Sequence, residues 1–143
     1  MSLRKRRWTC EAAASNRQRD SSLPAAGMRV PLVGQRAFVT LDGSGNGTCK
    51  LGPLSAREVW WPDNAHVSTG QAVVTNEAVC KIYVGDAVSV QNFRDNTFTG
   101  SSGDSTDKIA ADRVSVGQWV WAVWSGGDAG AVGTLNVTGN RDV

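Results

Sequence analysis

The chain has 143 residues, 15 Lys and Arg against 13 Asp and Glu, 41% hydrophobic residues and 16 glycines. That length suits one domain with a real core, and no apolar run approaches the ~20 residues of a membrane-spanning helix, so no membrane partner is expected. Three cysteines at irregular spacing exclude a disulfide framework and a paired-ligand zinc site.

The charge is segregated along the chain. Residues 1–29 hold seven basic residues (Arg4, Lys5, Arg6, Arg7, Arg17, Arg19, Arg29) against Glu11 and Asp20, a balance of +5. The remainder has eight basic and eleven acidic residues, −3, and carries no nucleic-acid footprint. Residues 1–29 are rich in Ala, Ser and Gln and poor in apolar anchors, so they cannot offset their ordering entropy. They are expected to form a disordered or weakly helical basic segment, with a folded domain over 30–143. The Arg4–Arg7 run reads as a solvated tail in preference to a polyanion-binding arm. A nucleic-acid partner is therefore expected only through this segment, if at all. The change of composition at Met28 also fits a chain that starts there, with translated leader upstream.

Gln35–Leu41 is the first predicted strand. Asp42–Gly47 follows as a turn; its alternating glycines lead into a strand, whereas a dinucleotide-binding loop opens a helix. Thr48–Leu51 is the next strand, and the two are expected to pair as a hairpin with a long loop. Arg57–Thr69 reads as one long strand or two halves, with Pro62 marking a bulge or an edge. His66, the single histidine, has no partner at ligand or triad spacing and reads as a strand residue.

Ala78–Val84 is the following strand. Side chains alternate between faces, so Cys80, Ile82 and Val84 share one face and Val79, Lys81 and Tyr83 the other, with Lys81 marking the wet side. By the same logic Cys49 and Leu51 point inward and Lys50 outward. Both cysteines read as small core residues, in preference to a Cys49–Cys80 bridge. Short strands are expected near Ala87–Phe93 and Asp95–Thr99, then a polar loop over Gly100–Asp107. Asp104, Asp107 and Asp112 lack a calcium-loop pattern, and loops rich in Asp, Ser and Thr are usually turns capped by their own side chains, so no metal is expected.

Arg113–Gly127 holds half of the six tryptophans. Its β-branched and aromatic residues bounded by glycines make it the central strand. Ser125–Gly130 is a glycine turn, Ala131–Thr138 the closing strand and Gly139–Val143 a tail. About eight short strands with turn signals every 8–12 residues predict an all-β fold, an antiparallel β-sandwich or jelly roll. No nucleophile elbow, Cys–His pair, acid pair or phosphate loop is recognisable, so neither an enzyme nor a cofactor site is expected.

Three stretches carry a resemblance: Gly47–Trp60 (GTCKLGPLSAREVW), Glu77–Gly85 (EAVCKIYVG) and Gly117–Ala131 (GQWVWAVWSGGDAGA). In order and spacing they resemble a family of small proteins encoded by tailed bacteriophages of actinobacteria, among the virion structural genes. The match covers about Gln35–Thr138 and rests on glycine, proline and tryptophan landmarks. The family pattern has nothing like residues 1–27, and it carries over no active site. The resemblance implies a non-enzymatic β-sandwich virion component, at the capsid, neck or tail, that contacts other virion proteins or forms a homo-oligomer. The rival expectation is a carbohydrate-binding or adhesin-like module using exposed tryptophans, since an aromatic face packs on a sugar ring.

Both faces of the central strand are apolar, so periodicity alone does not choose between them. Val120, Ala122 and Trp124 are assigned to the core, because medium, small and large side chains interdigitate between sheets. Trp119 and Trp121 are then left on the outer surface, where a contiguous apolar patch marks an interaction site.

Overall fold

A computed structural model describes residues 28–70, 73–96, 104–107 and 113–143, with only the backbone described at 104–107. The expectations for residues 1–27, Thr97–Thr99, Gly100–Gly103 and Asp112 lie outside these residues. The fold is an all-β antiparallel sandwich of two four-stranded sheets. Its strands are β1 (Arg29–Thr40), β2 (Gly47–Leu51), β3 (Val59–Gly70), β4 (Val79–Gly85), β5 (Phe93–Asn96), β6 (Asp104–Asp107), β7 (Trp119–Ser125) and β8 (Val132–Asp142). One sheet has the order β1-β8-β3-β6 and the other β2-β7-β4-β5. Pairing is nested, β1 with β8, β2 with β7, β3 with β6 and β4 with β5. A long hairpin folded across itself gives this order, which is the jelly-roll topology.

The topology corrects the expected β1–β2 hairpin. These strands lie in opposite sheets, and Asp42–Asn46 is a crossing between layers. The turn itself forms as its residues predict: the Asp42 carboxylate accepts the backbone N–H groups of Ser44 (2.9 Å) and Asn46 (3.0 Å). Gly45, at φ +77°, lies so close to the β7–β8 connection, the other crossing between the layers, that a Cβ would overlap the Gly127 carbonyl. The glycines serve this close approach between turns.

Four further boundaries differ. Arg29, assigned to the N-terminal segment, is the first residue of β1 and pairs with Asp142. Gly139–Asp142, read as a tail, continues β8 because β1 and β3 flank it on both sides. Val90–Asn92 is a 3-10 turn, not a strand. Asp104–Asp107, read as loop, is an edge strand whose backbone pairs with Asn64–Val67. The long strand forms as one element, with a register shift between Pro62 and Asn64 where the proline breaks the ladder.

The core lies between the sheets. Leu32, Trp60, Ala65, Val67, Leu135 and Val137 come from one, and Cys49, Cys80, Ile82, Val84, Val120, Ala122 and Trp124 from the other. Leu51 is only partly buried and packs against this cluster. Trp124 meets the opposite sheet at Gly133, where an added Cβ would stand 3.0 Å from three ring atoms. The missing side chain makes the slot for the indole. At the far end Met28 accepts the Val143 N–H, and the Asp142 carboxylate takes Arg29 Nε–H (2.9 Å) and Trp61 Nε1–H (2.9 Å). The guanidinium of Arg29 also lies over the Trp61 ring. This clasp joins β1, β3 and β8.

Candidate interaction surface

Strand β7 occupies the middle of its sheet, with β2 on one side and β4 on the other. Alternation sends Val120, Ala122 and Trp124 inward, all buried, and Trp119, Trp121 and Val123 outward, all half-buried. The registers bring side chains together that the sequence keeps apart. Trp121 is opposite Lys50 on β2 and Tyr83 on β4, and Tyr83 is opposite Phe93 on β5. Lys50, Trp121, Tyr83 and Phe93 thus form one row across the outer surface. The next row is Thr48, Val123, Lys81 and Asn96.

The row is held in place from within. Lys50 Nζ stands 4.3 Å from the Trp119 ring centroid and 4.8 Å from that of Trp121, so one ammonium spans both indoles. Trp121 Nε1–H donates to the Gly85 carbonyl at 3.0 Å. Trp119 lies against Gly52, where a Cβ would come within 2.9 Å of its ring. Tyr83 and Phe93 meet edge to face, 5.6 Å between centroids at 72°. Beside them an open groove of about 350 Å³ is lined by Lys81, Tyr83, Val90, Phe93 and Asn96. Val90 is 89% exposed and Phe93 41%. Among the described residues no carboxylate pairs with Lys50 or Lys81.

The outer face of the other sheet is different. Its β8 and β3 positions are Thr134, Asn136, Thr138, Asn64, His66 and Ser68, with Arg36 and Phe38 on the β1 edge. His66 sits there as a strand residue opposite Asn136. No group of three or more His, Cys, Asp or Glu side chains gathers among the described residues.

The strongest candidate nucleophiles are sequestered. Cys49 and Cys80 are buried, and neither is in a disulfide. Burial pushes the Cys49 thiol up to about 12, and burial together with the neighbouring Cys49 pushes Cys80 higher still. Their strands flank β7 and do not adjoin, two strand spacings or about 9–10 Å apart, beyond the reach of a disulfide. The carboxyls of Asp142 and Asp42 are held below the usual range, Asp142 by hydrogen bonds from Arg29 and then Trp61, and Asp42 by the backbone N–H groups of Asn46 and then Ser44.

Trp119 and Trp121 are therefore the sequence-predicted surface residues that the fold brings onto one outer face. Lys50, Tyr83 and Phe93 complete the row, and sequence reasoning did not single them out. Alternation put Lys50 and Tyr83 on outer faces, but only the pairing register shows that they share one. Comparison with protein-family models, with curated proteins and with solved structures finds no match for this chain.

Proposed function

We propose that this protein is a non-enzymatic structural component of a tailed-phage virion, docking through the outer face of β2-β7-β4-β5. The observation that carries this reading is the aromatic row Trp121, Tyr83 and Phe93 with Trp119 beside it, facing outward from a sandwich whose own core is already filled. A half-buried aromatic surface of this kind gains from a partner that removes it from water. The resemblance over Gln35–Thr138 supplies the virion setting. Jelly rolls also build viral capsid domains and lectins, which is support by analogy of fold alone. The burial of both thiols fits a structural role, because a protonated, enclosed sulfur neither attacks nor ligates.

The carbohydrate reading draws on the same aromatics, and two features weigh against it. Stacking on sugar wants free, roughly coplanar rings, whereas Lys50 already covers Trp119 and Trp121, and Tyr83 stands nearly perpendicular to Phe93. The test is mass spectrometry of purified particles from the encoding phage, with incorporation of a Trp119→Ala/Trp121→Ala variant compared against wild type. The chain is expected in the particle, and the variant depleted. Absence from particles, or glycan-array binding lost in that variant, would replace this reading with another.

A further inference from the structure

The charge on the aromatic face narrows what can sit on it. In the two central rows the charged side chains are Lys50 and Lys81. Neither has a carboxylate partner among the described residues. Lys50 is exposed, and its ammonium rests against two indoles, which fix where it stands. A lysine already held in one place by its neighbours loses less side-chain freedom on meeting an incoming carboxylate than a mobile one does. Lys81 lines the groove beside Tyr83 and Phe93. The two lysines lie on strands separated by β7 and two positions apart along it, opposite Trp121 and Val123, which places their Cα atoms roughly 12 Å apart.

A second copy of this chain is a poor occupant. A two-fold contact uses the same patch on both copies, so it would bring a face whose central charges are Lys50 and Lys81 onto another with the same two positive charges. The face is also small: four strands of this length cover on the order of 400 Å², about half of what each partner contributes to a standard stable interface. Single-stranded nucleic acid is a poor occupant too, because bases stack on open ring faces and here Lys50 lies over the indoles.

We propose that this face docks a protein segment of mixed acidic and apolar chemistry, its carboxylates pairing with Lys50 and Lys81 and its apolar side chains packing on Trp121, Tyr83 and Phe93. The inference deepens the docking reading above and rests on that assignment of the face. An extended segment with two carboxylates four positions apart keeps both on one side and spans roughly 13 Å, close to the lysine separation.

The test is an NMR titration of the full chain, following the indole N–H signals of Trp119 and Trp121 and the amides of Tyr83 and Phe93. The probe is the capped peptide Thr-Asp-Thr-Ile-Thr-Asp-Thr-Val, which presents both Asp, Ile and the last Val on one side when extended; the controls are its Asn-for-Asp counterpart and an oligo-dT strand. The acidic peptide is expected to shift these signals and bind about tenfold tighter than the Asn peptide, with added salt closing the gap. The same preference should vanish in Lys50→Gln/Lys81→Gln at an unchanged thermal midpoint. Equal binding of the two peptides, no binding of either, or tighter binding of oligo-dT overturns the proposal. So does a preference that survives the double lysine variant. Particle mass spectrometry separates the two claims. A chain that binds the acidic peptide but is missing from particles loses the virion role and keeps the docking chemistry. A chain found in particles that ignores the peptide does the reverse.

Discussion

The two sheets share one core and differ on the outside. The β2-β7-β4-β5 sheet turns Trp119, Trp121, Tyr83 and Phe93 outward around two lysines, whereas the β1-β8-β3-β6 sheet shows mainly Thr134, Asn136, Thr138, His66 and Ser68. An antiparallel sheet with one face on a core ordinarily alternates apolar inside with polar outside. The second sheet follows that rule. The first departs from it, and its departure is braced by side-chain contacts: Lys50 across the indoles, Trp121 on the Gly85 carbonyl, Tyr83 against Phe93. The lesson is that a strand apolar on both faces need not be buried on both. Its second face can be kept ordered at the surface for a partner to cover.

The largest effect is expected from the side of β7 that both sheets share. Trp124→Ala should cost about 3–5 kcal/mol in a urea titration, since it empties the slot over Gly133. A midpoint like wild type would mean that the inner and outer faces have been exchanged. Gly133→Ala probes the same slot by overfilling it and should cost about 1–3 kcal/mol. Paired with Trp124→Phe, the cost should fall well below the sum of the single changes, because the two groups occupy one space.

The outer faces are distinguished by a matched pair of variants. Trp119→Ala/Trp121→Ala should lose about 1–2 kcal/mol, less than Trp124→Ala, because each ring is already partly in water. Its main consequence should be on docking. Thr134→Ala/Thr138→Ala on the polar sheet should stay within about 0.5 kcal/mol and leave docking unchanged. If the threonine pair abolishes particle incorporation and the tryptophan pair does not, the functional faces are reversed.

Two titrations probe the same contrast by pH, one at each sheet. The Cys49 thiol on the inner side of the aromatic sheet is raised from 9.0 to about 12 by burial. A raised thiol favours the native state below the unfolded value, and that contribution is lost as pH rises from 9.0 towards 12. Native protein at neutral pH should therefore react slowly with thiol reagents and denatured protein fast, with the thermal midpoint dropping through this alkaline window. On the polar sheet, Asp142 is depressed by Arg29 and Trp61. Its contribution is present above the ordinary carboxylate range and lost as pH falls through the depressed value. Asp142→Asn should flatten that acid limb of the midpoint-versus-pH curve, the smallest change of the set because the pair is exposed.

Much of the local structure was legible in the residues. Alternation alone separated Cys80, Ile82 and Val84 from Val79, Lys81 and Tyr83, and the glycines and Asp42 marked the turn before β2. The stagger Val120, Ala122, Trp124 pointed to the side that the structure buries. These are consequences of covalent geometry, since successive side chains on an extended chain must point opposite ways. What only the tertiary structure decided was pairing. Strands β1 and β2 look like a hairpin in sequence and lie in different sheets. Asp104–Asp107 has the composition of a loop and is a strand because the β3 edge supplies its hydrogen bonds. Gly139–Asp142 extends β8 because two neighbours flank it, and Lys50 and Tyr83 come to either side of Trp121 only through two separate registers. Backbone N–H and C=O groups are the same at almost every residue. The partner a strand finds is therefore set by which faces the whole chain must bury together, and no local pattern encodes it.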